Sequence, residues 1–175
     1  MLRYLRSNGR KCIQLCWQDP PKELKGFTDS DWAGCQVTRK STSGGITQYG
    51  RHCLAHWSST RATVALSSAE AELNGIIKMR SELIGMNHIF ESCEMDIVLK
   101  VFTDSSAANG ICHKKRSGRV KHLEVRQLWT QQLISSGVLS CHKLPRLENL
   151  SDSLTHYWSP ISAAPHWQQI GIQLT

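Results

Sequence analysis

Six of the fourteen acidic residues form four groups in this otherwise basic sequence: Asp29 with Asp31, Glu70 with Glu72, then Asp104 and Asp152 alone, each beside small or polar neighbours. Carboxylates brought together from distant segments repel one another unless a cation neutralises them, and a divalent ion with oxygen ligands is the usual solution. Four acids converging on one site would therefore imply a metal. Only one of Glu70 and Glu72 can face such a site, because two positions on a helix are about 200° apart. Spacing alone does not choose between them. For any one of these groups taken alone, the ordinary alternative is a helix cap or a solvated turn.

Other chemistries fit less well. Seven cysteines and eight histidines raise the question of zinc, but Cys12 and Cys16 have no second pair at a finger-like distance. His52-Cys53, Cys112-His113 and Cys141-His142 are adjacent pairs, which are awkward as joint ligands. Ser58-Ser59 and Ser67-Ser68 lack a G-x-S-x-G context and read as turns or caps rather than nucleophiles. The basic residues concentrate between 113 and 126, where Lys114, Lys115, Arg116, Arg119, Lys121 and Arg126 stand with two histidines against the single acid Glu124. A patch of that size suits a polyanion; the bland reading is a solvated loop and a helix face turned to water. Trp32, Trp57, Trp129 and Trp158 are dispersed, and core or rim packing is the default for each.

The elements that must position these groups can be read from periodicity. GFTDSDWAG looks like a strand running into a loop, and GGITQYG with RHCLAHWSS looks like two short strands joined at Gly50-Arg51. Ser67-Ser68 opens the best helix, over residues 69 to about 93, with Leu73, Ile76, Ile77 and Ile84 on one stripe. Next, IVLKVFT is a β-branched run with Asp104 at its carboxyl end, a place where open α/β sheets build their sites. Residues 105–112 suggest a short helix, the basic segment a loop, and Val125, Leu128 and Trp129 another helix ending near Gly137. VLSCHKL is a strand, PRLEN a connection, and residues 150–157 a last helical turn or two. The order βββαβααβα argues for one mixed α/β sheet covered by helices. Before it, residues 1–25 read as a lead-in with an apolar patch at Ile13, Leu15 and Trp17; the tail from 158 has two prolines, no clear period and no assigned element.

With 175 residues, 40% apolar and 20% charged, the chain has the size and composition of one domain with a core, which excludes disorder and coiled coil. No window approaches the roughly 18 unbroken apolar residues of a membrane span, and the N-terminus has no apolar run of signal-peptide length. Irregularly spaced cysteines argue against a disulfide scaffold and for a reducing compartment. The net charge of +7, from 21 Lys+Arg against 14 Asp+Glu, fits an anionic partner.

Seven motifs together carry a resemblance. TDSDWAG at 28–34, RKSTSGG at 39–45, WSST at 57–60, VALSSAEAEL at 64–73, FTDSSAA at 102–108, VKHLEVR at 120–126 and ENLSDSLT at 148–155 resemble the ribonuclease H domain of copia-type LTR retrotransposon Pol polyproteins, in order and spacing. LRYL at 2–5 resembles the connection from reverse transcriptase. The resemblance implies a ribonuclease-H-like mixed five-stranded sheet flanked by helices, occupying residues 26–158 between the 1–25 lead-in and a 159–175 tail. It implies metal-dependent cleavage of the RNA strand of RNA–DNA hybrids by two Mg²⁺, with Mn²⁺ as an alternative.

Carried over residue by residue, the four metal-binding and catalytic acids fall on Asp29, Glu72, Asp104 and Asp152, which favours Glu72 over Glu70 and Asp29 over Asp31. Asp29 would bridge both ions, Glu72 and Asp104 would join it at one, and Asp152 at the other. Nucleic-acid contacts are expected from Lys114, Lys115, Arg116, Arg119, Lys121, His122 and Arg126. Cellular ribonucleases H place a mobile histidine in a longer loop before the last acid; PRLEN is short, and His142 lies within the strand VLSCHKL, so no catalytic role is assigned to it. The implied context is a reverse transcriptase in the same polyprotein, no membrane, and an intracellular site in a cytoplasmic virus-like particle or the nucleus. Almost nothing precedes residue 26, so a fragment or the product of a decayed element is expected. The alternatives are a catalytically inactive nucleic-acid-binding remnant and a relic with no biochemical role.

Overall fold

The computed structural model describes residues 11–62, 64–114, 125–156 and 160–174. Its elements are β1 (Lys11–Ile13), β2 (Glu23–Ser30), β3 (Thr42–Tyr49), β4 (His52–Thr60), α1 (Ser68–Ser92), β5 (Val98–Thr103), α2 (Ser106–Cys112), α3 (Val125–Ser135), β6 (Leu139–Lys143), 3₁₀ turns at Arg146–Glu148 and Asp152–Leu154, α4 (Pro160–Gln169) and β7 (Ile172–Leu174). β2 to β6 form one mixed sheet in the order β4-β3-β2-β5-β6. β2, β3 and β4 pair antiparallel, while β5 and β6 extend the sheet in parallel from β2. This is the mixed five-stranded sheet flanked by helices that the element order implies.

Two apolar layers hold the sheet. On one face the α1 stripe of Leu73, Ile76, Met79 and Leu83 is buried against Leu24, Leu99, Val101 and Leu139, with Ala108 and Cys112 of α2 beside them. Burial of this continuous surface is the main driving force for assembly. Arg80 joins α3 to α1: it is buried, stacks on Trp129 at 3.9 Å, and donates to the Arg126 carbonyl (2.9 Å) and the Thr130 hydroxyl (2.8 Å). On the other face Ile46 packs with Leu150 and Ile170. All seven cysteines are free thiols. Among the described residues no helix is long and apolar enough to cross a membrane.

The structure departs from the sequence reading at the two ends. β2 starts at Glu23, and the segment before it contributes β1, which pairs antiparallel with β7 so that Cys12 faces Gln173. The tail therefore has two elements where none was expected. A ten-residue helix carrying Pro165 and a three-residue strand are too short to show a period, and the strand's partner lies at the other end of the chain. The last helical turn or two expected over residues 150–157 is present as the 3₁₀ turn Asp152–Leu154, with residue 157 outside the described residues. Ile13, Leu15 and Trp17, the apolar patch of the lead-in, are exposed.

Two glycines set how closely the layers approach. Gly44 is paired with Asp29 across β2 and β3, and a Cβ there would stand 2.7 Å from Leu154 Cβ and 3.2 Å from the Ser151 carbonyl. Gly75 lets α1 lie against β2, where a Cβ would meet Thr28 Oγ1 at 2.6 Å and Ser30 Oγ at 3.0 Å. Gly85, on the same helix, has open space around it. Alanine improves helix propensity by about 1 kcal/mol at either position, but overpacking at a contact typically costs 1–3 kcal/mol. Gly85→Ala is expected to raise the urea midpoint and Gly75→Ala to lower it; equal shifts would show that α1 does not depend on that close approach.

Candidate metal centre

The sheet itself places two of the acids. β2 and β5 run parallel with Phe27 opposite Phe102, so Asp29 and Asp104, each two residues further on, emerge side by side at the carboxyl ends of adjacent strands. Glu72 comes from the first turns of α1, drawn onto β2 by the small residue at Gly75. The start of that helix is fixed by a reciprocal cap: Ser67 Oγ accepts from the Glu70 N–H (3.2 Å), and Glu70 Oε2 accepts from the Leu66 N–H (2.8 Å). Glu70 is thereby a capping residue, and Glu72 is the member of the pair that turns inward. Asp31 likewise has its own task, accepting from the Thr42 N–H where β3 begins.

Asp152 is delivered by irregular backbone. Asn149, fully buried, donates to the Thr28 carbonyl (3.1 Å) and accepts at Oδ1 from the Ser151 hydroxyl (2.7 Å) and N–H (3.3 Å). These bonds tie the 149–152 segment to β2 one residue from Asp29. The Thr155 hydroxyl donates to Asp29 Oδ2. Arg146 donates to Asp152 Oδ1 from Nε (3.1 Å) and is ion-paired with it through Nη2 (3.0 Å), and His156 Nε2 stands 3.9 Å from the same oxygen.

Two ligand-like groups result. One oxygen each from Asp29, Glu72 and Asp104 lie within 4.8 Å of one another, and so do atoms of Asp29, Asp152 and His156. Asp29 is common to both. Asp29, Glu72, Asp104 and His156 line an open cleft of about 470 Å³ with Trp32, Arg146 and Thr155 at its walls. Asp29, Glu72 and Asp152 are buried and Asp104 is half-buried.

Their electrostatics show what the arrangement lacks. Burial, with the nearby charges of Asp29 and Asp104, pushes the Glu72 carboxyl up to about 9. Burial also raises Asp29, with Asp104 and Asp152 adding to the effect and the Thr155 hydroxyl opposing it. Asp104 is raised by burial, partly offset by its own backbone hydrogen bond and by Arg146. Glu72 Oε2 is buried with no hydrogen-bond partner among the described residues. An unpartnered buried oxygen beside two more carboxylates is a donor set that suits a hard divalent cation.

The structure thus brings Asp29, Glu72 and Asp104 together at one cleft, and Asp152 is grouped with Asp29 and His156 beside it. Lys114 is exposed after α2 and Arg126 is exposed on α3, while Lys115, Arg116, Arg119, Lys121 and His122 lie outside the described residues. His142 is on β6, its Nε2 hydrogen-bonded with Ser140 Oγ (2.9 Å) and its ring against Phe102, and it does not line the cleft. Arg146, Thr155 and His156 were missed from the sequence. The one available signal was the i,i+4 spacing of Asp152 and His156, which has meaning only if that segment turns helically.

Comparison with known proteins agrees with the fold. No protein-family model matches the chain. It is 31% identical over 163 residues to the retrovirus-related Pol polyprotein from transposon TNT 1-94 of Nicotiana tabacum, covering 89% of this chain and 12% of that protein. Over 154 residues it is 27% identical to the corresponding polyprotein from transposon RE2 of Arabidopsis thaliana, covering 85% of this chain and 10% of that one. The chain therefore spans about a tenth of the length of these relatives. LC11-RNase H1, isolated from compost, superposes with a TM-score of 0.59 at 15% identity, covering 76% of this chain and 92% of that one. The same enzyme in complex with an RNA/DNA hybrid gives 0.52 at 17% identity, covering 75% and 93%.

A pH prediction follows from Glu72. Its folded-state value of about 9 lies above its ordinary 4.5, so between those limits the folded protein holds a proton that the unfolded chain releases. Stability contributed by this group is complete below about pH 4.5 and is lost as pH rises towards 9. In EDTA, circular-dichroism melts should show Glu72→Gln gaining on the wild type as pH rises from 5 to 8. A constant Tm difference between the two proteins would remove Glu72 as the source.

Proposed function

We propose, for a chain with the ribonuclease H fold whose sequence relatives are retrotransposon Pol polyproteins, that it hydrolyses the RNA strand of RNA–DNA hybrids as the ribonuclease H part of a copia-type polyprotein. The observation that carries this reading is the convergence of Asp29, Glu72, Asp104 and Asp152 at the carboxyl ends of β2 and β5, with Asp29 shared between two ligand-like groups. Asp29, Glu72 and Asp104 would hold one Mg²⁺, and Asp29 with Asp152 a second. Ions bound there supply an activated water on one side of a scissile phosphate and charge stabilisation of the leaving 3′-oxygen on the other.

The chain's own groups do the rest. Arg146 orients the Asp152 carboxylate by a hydrogen bond and an ion pair, and Thr155 orients Asp29. Lys114 and Arg126, with the basic residues 115–122 between them, contact the phosphate backbone. RNA is told from DNA by its 2′-hydroxyls, presented across a shallow minor groove. A reverse transcriptase of the same polyprotein would deliver the hybrid, in a cytoplasmic particle or the nucleus.

Purified chain incubated with an RNA–DNA hybrid, an RNA duplex and a DNA duplex of one sequence, each with Mg²⁺, Mn²⁺ or EDTA, tests the reading. The expected outcome is cutting of the RNA strand of the hybrid alone, stopped by EDTA. Asp104→Asn should abolish cleavage and spare hybrid binding, while Glu70→Gln, altered only at the helix cap, stays active. Folded protein that binds hybrid and cuts nothing in either metal would make it a binding remnant instead.

The basic run has its own readout. Replacing Lys114, Lys115, Arg116 and Arg119 together by alanine should weaken hybrid binding and lower its log–log salt slope by roughly 0.7 to 0.9 for each phosphate the protein ceases to neutralise. An unaltered slope would make the run a solvated face.

A further inference from the structure

His156 is unexplained by the acids alone. Its Nε2 lies 3.9 Å from Asp152 Oδ1, beyond hydrogen-bond range, and that oxygen already accepts from Arg146 Nε (3.1 Å) with the Arg146 Nη2 against it at 3.0 Å. The imidazole is therefore not needed to satisfy Asp152. Its side chain is 42% exposed, borders the cleft, and forms with Asp29 and Asp152 a group whose candidate atoms all lie within 4.8 Å. Two ligands of one octahedral ion at about 2.1 Å stand roughly 3.0 Å apart when adjacent and 4.2 Å when opposite. These atoms are already close to that arrangement.

The two groups differ in kind. Asp29, Glu72 and Asp104 offer oxygen alone, whereas Asp29, Asp152 and His156 add an aromatic nitrogen. Mg²⁺ takes oxygen ligands and holds its water tightly, while imidazole suits first-row transition ions and carboxylate is accepted by Mn²⁺ as well. We infer that His156 is a nitrogen ligand of the position shared by Asp29 and Asp152, and that it makes this position select Mn²⁺ over Mg²⁺ while the oxygen-only position does not discriminate in that way. This rests on the metal-centre reading above and goes beyond it by assigning a ligand and an ion preference to one half. It also gives the cleft an imidazole from the residue after Thr155, although His142, on β6, is turned to Phe102.

The test is an EPR-monitored Mn²⁺ titration of the whole chain, with Mg²⁺ as competitor and thermal shift as a second readout. His156→Ala is expected to weaken Mn²⁺ binding at one position by about tenfold or more, with little change in the Mg²⁺-induced Tm shift. His156→Asp, which returns an oxygen donor, should restore binding and erase the preference for Mn²⁺. His156 is surface-accessible, so both variants should fold, and the melts check this directly. Unchanged Mn²⁺ affinity and Mn²⁺/Mg²⁺ competition in His156→Ala would overturn the inference, as would a wild type that binds no Mn²⁺. Hybrid cleavage is scored separately: its absence counts against the nuclease reading, and the titration still decides the ligand.

Discussion

Repulsion among Asp29, Glu72, Asp104 and Asp152 is the interaction against which the rest of the structure is built. Left on flexible loops, such groups would separate into water. Here Asp29 and Asp104 cannot separate, because the parallel ladder of β2 and β5 sets their registers two residues past a paired Phe27 and Phe102. Glu72 cannot withdraw, because α1 is anchored along its length by Ile76, Met79 and Leu83 and seated against β2 at Gly75. Hydrophobic burial distributed over the whole domain thus opposes a local electrostatic conflict. Burial raises the carboxyls of Glu72, Asp29 and Asp104, and the charges of neighbouring acids add to it. A site destabilised in this way and supported by its scaffold is a common feature of function.

How much of this could be read from residues alone depends on whether the signal was local. β5 and α1 were legible because a β-branched run and an apolar stripe state their period within a few residues. The pairing of β1 with β7 was not, since neither three-residue strand has meaning without the other. Periodicity left Glu70 and Glu72 as equals. A family resemblance favoured Glu72, and the structure supplies the physical reason: Glu70 is occupied in the cap with Ser67 and Leu66. Gly44, read from the sequence as the start of a strand, is a strand residue without a side chain so that Leu154 and Ser151 can close over the sheet beside Asp29. Arg146, Thr155 and His156 reach the cleft through turns held by side-chain hydrogen bonds, which carry no period at all.

The two halves of the centre are consequently unlike in construction. Asp29 lies on β2, Glu72 on α1 and Asp104 directly after β5, so all three are placed by regular structure. Asp152 comes from a 3₁₀ turn that depends on Asn149 reaching the Thr28 carbonyl and on Ser151 folding back to Asn149. Ladder bonds are many and cooperative, whereas this connection rests on a few side-chain bonds, so the Asp152 half has the smaller barrier to local rearrangement.

They are unlike in charge as well. Asp152 has the Arg146 guanidinium against it at 3.0 Å, so its negative charge is already largely balanced. Among the described residues no cation touches Glu72, whose Oε2 is buried without a partner. A divalent ion entering between Asp29, Glu72 and Asp104 would relieve uncompensated repulsion, and its binding would displace the proton that Glu72 holds near neutral pH. An ion entering beside Asp152 must instead share that carboxylate with Arg146, gaining less from bare electrostatics and depending more on the chemical character of its remaining ligands. The oxygen-only half is thus the one where charge governs occupancy, and the half with the imidazole is the one where the identity of the ion can matter.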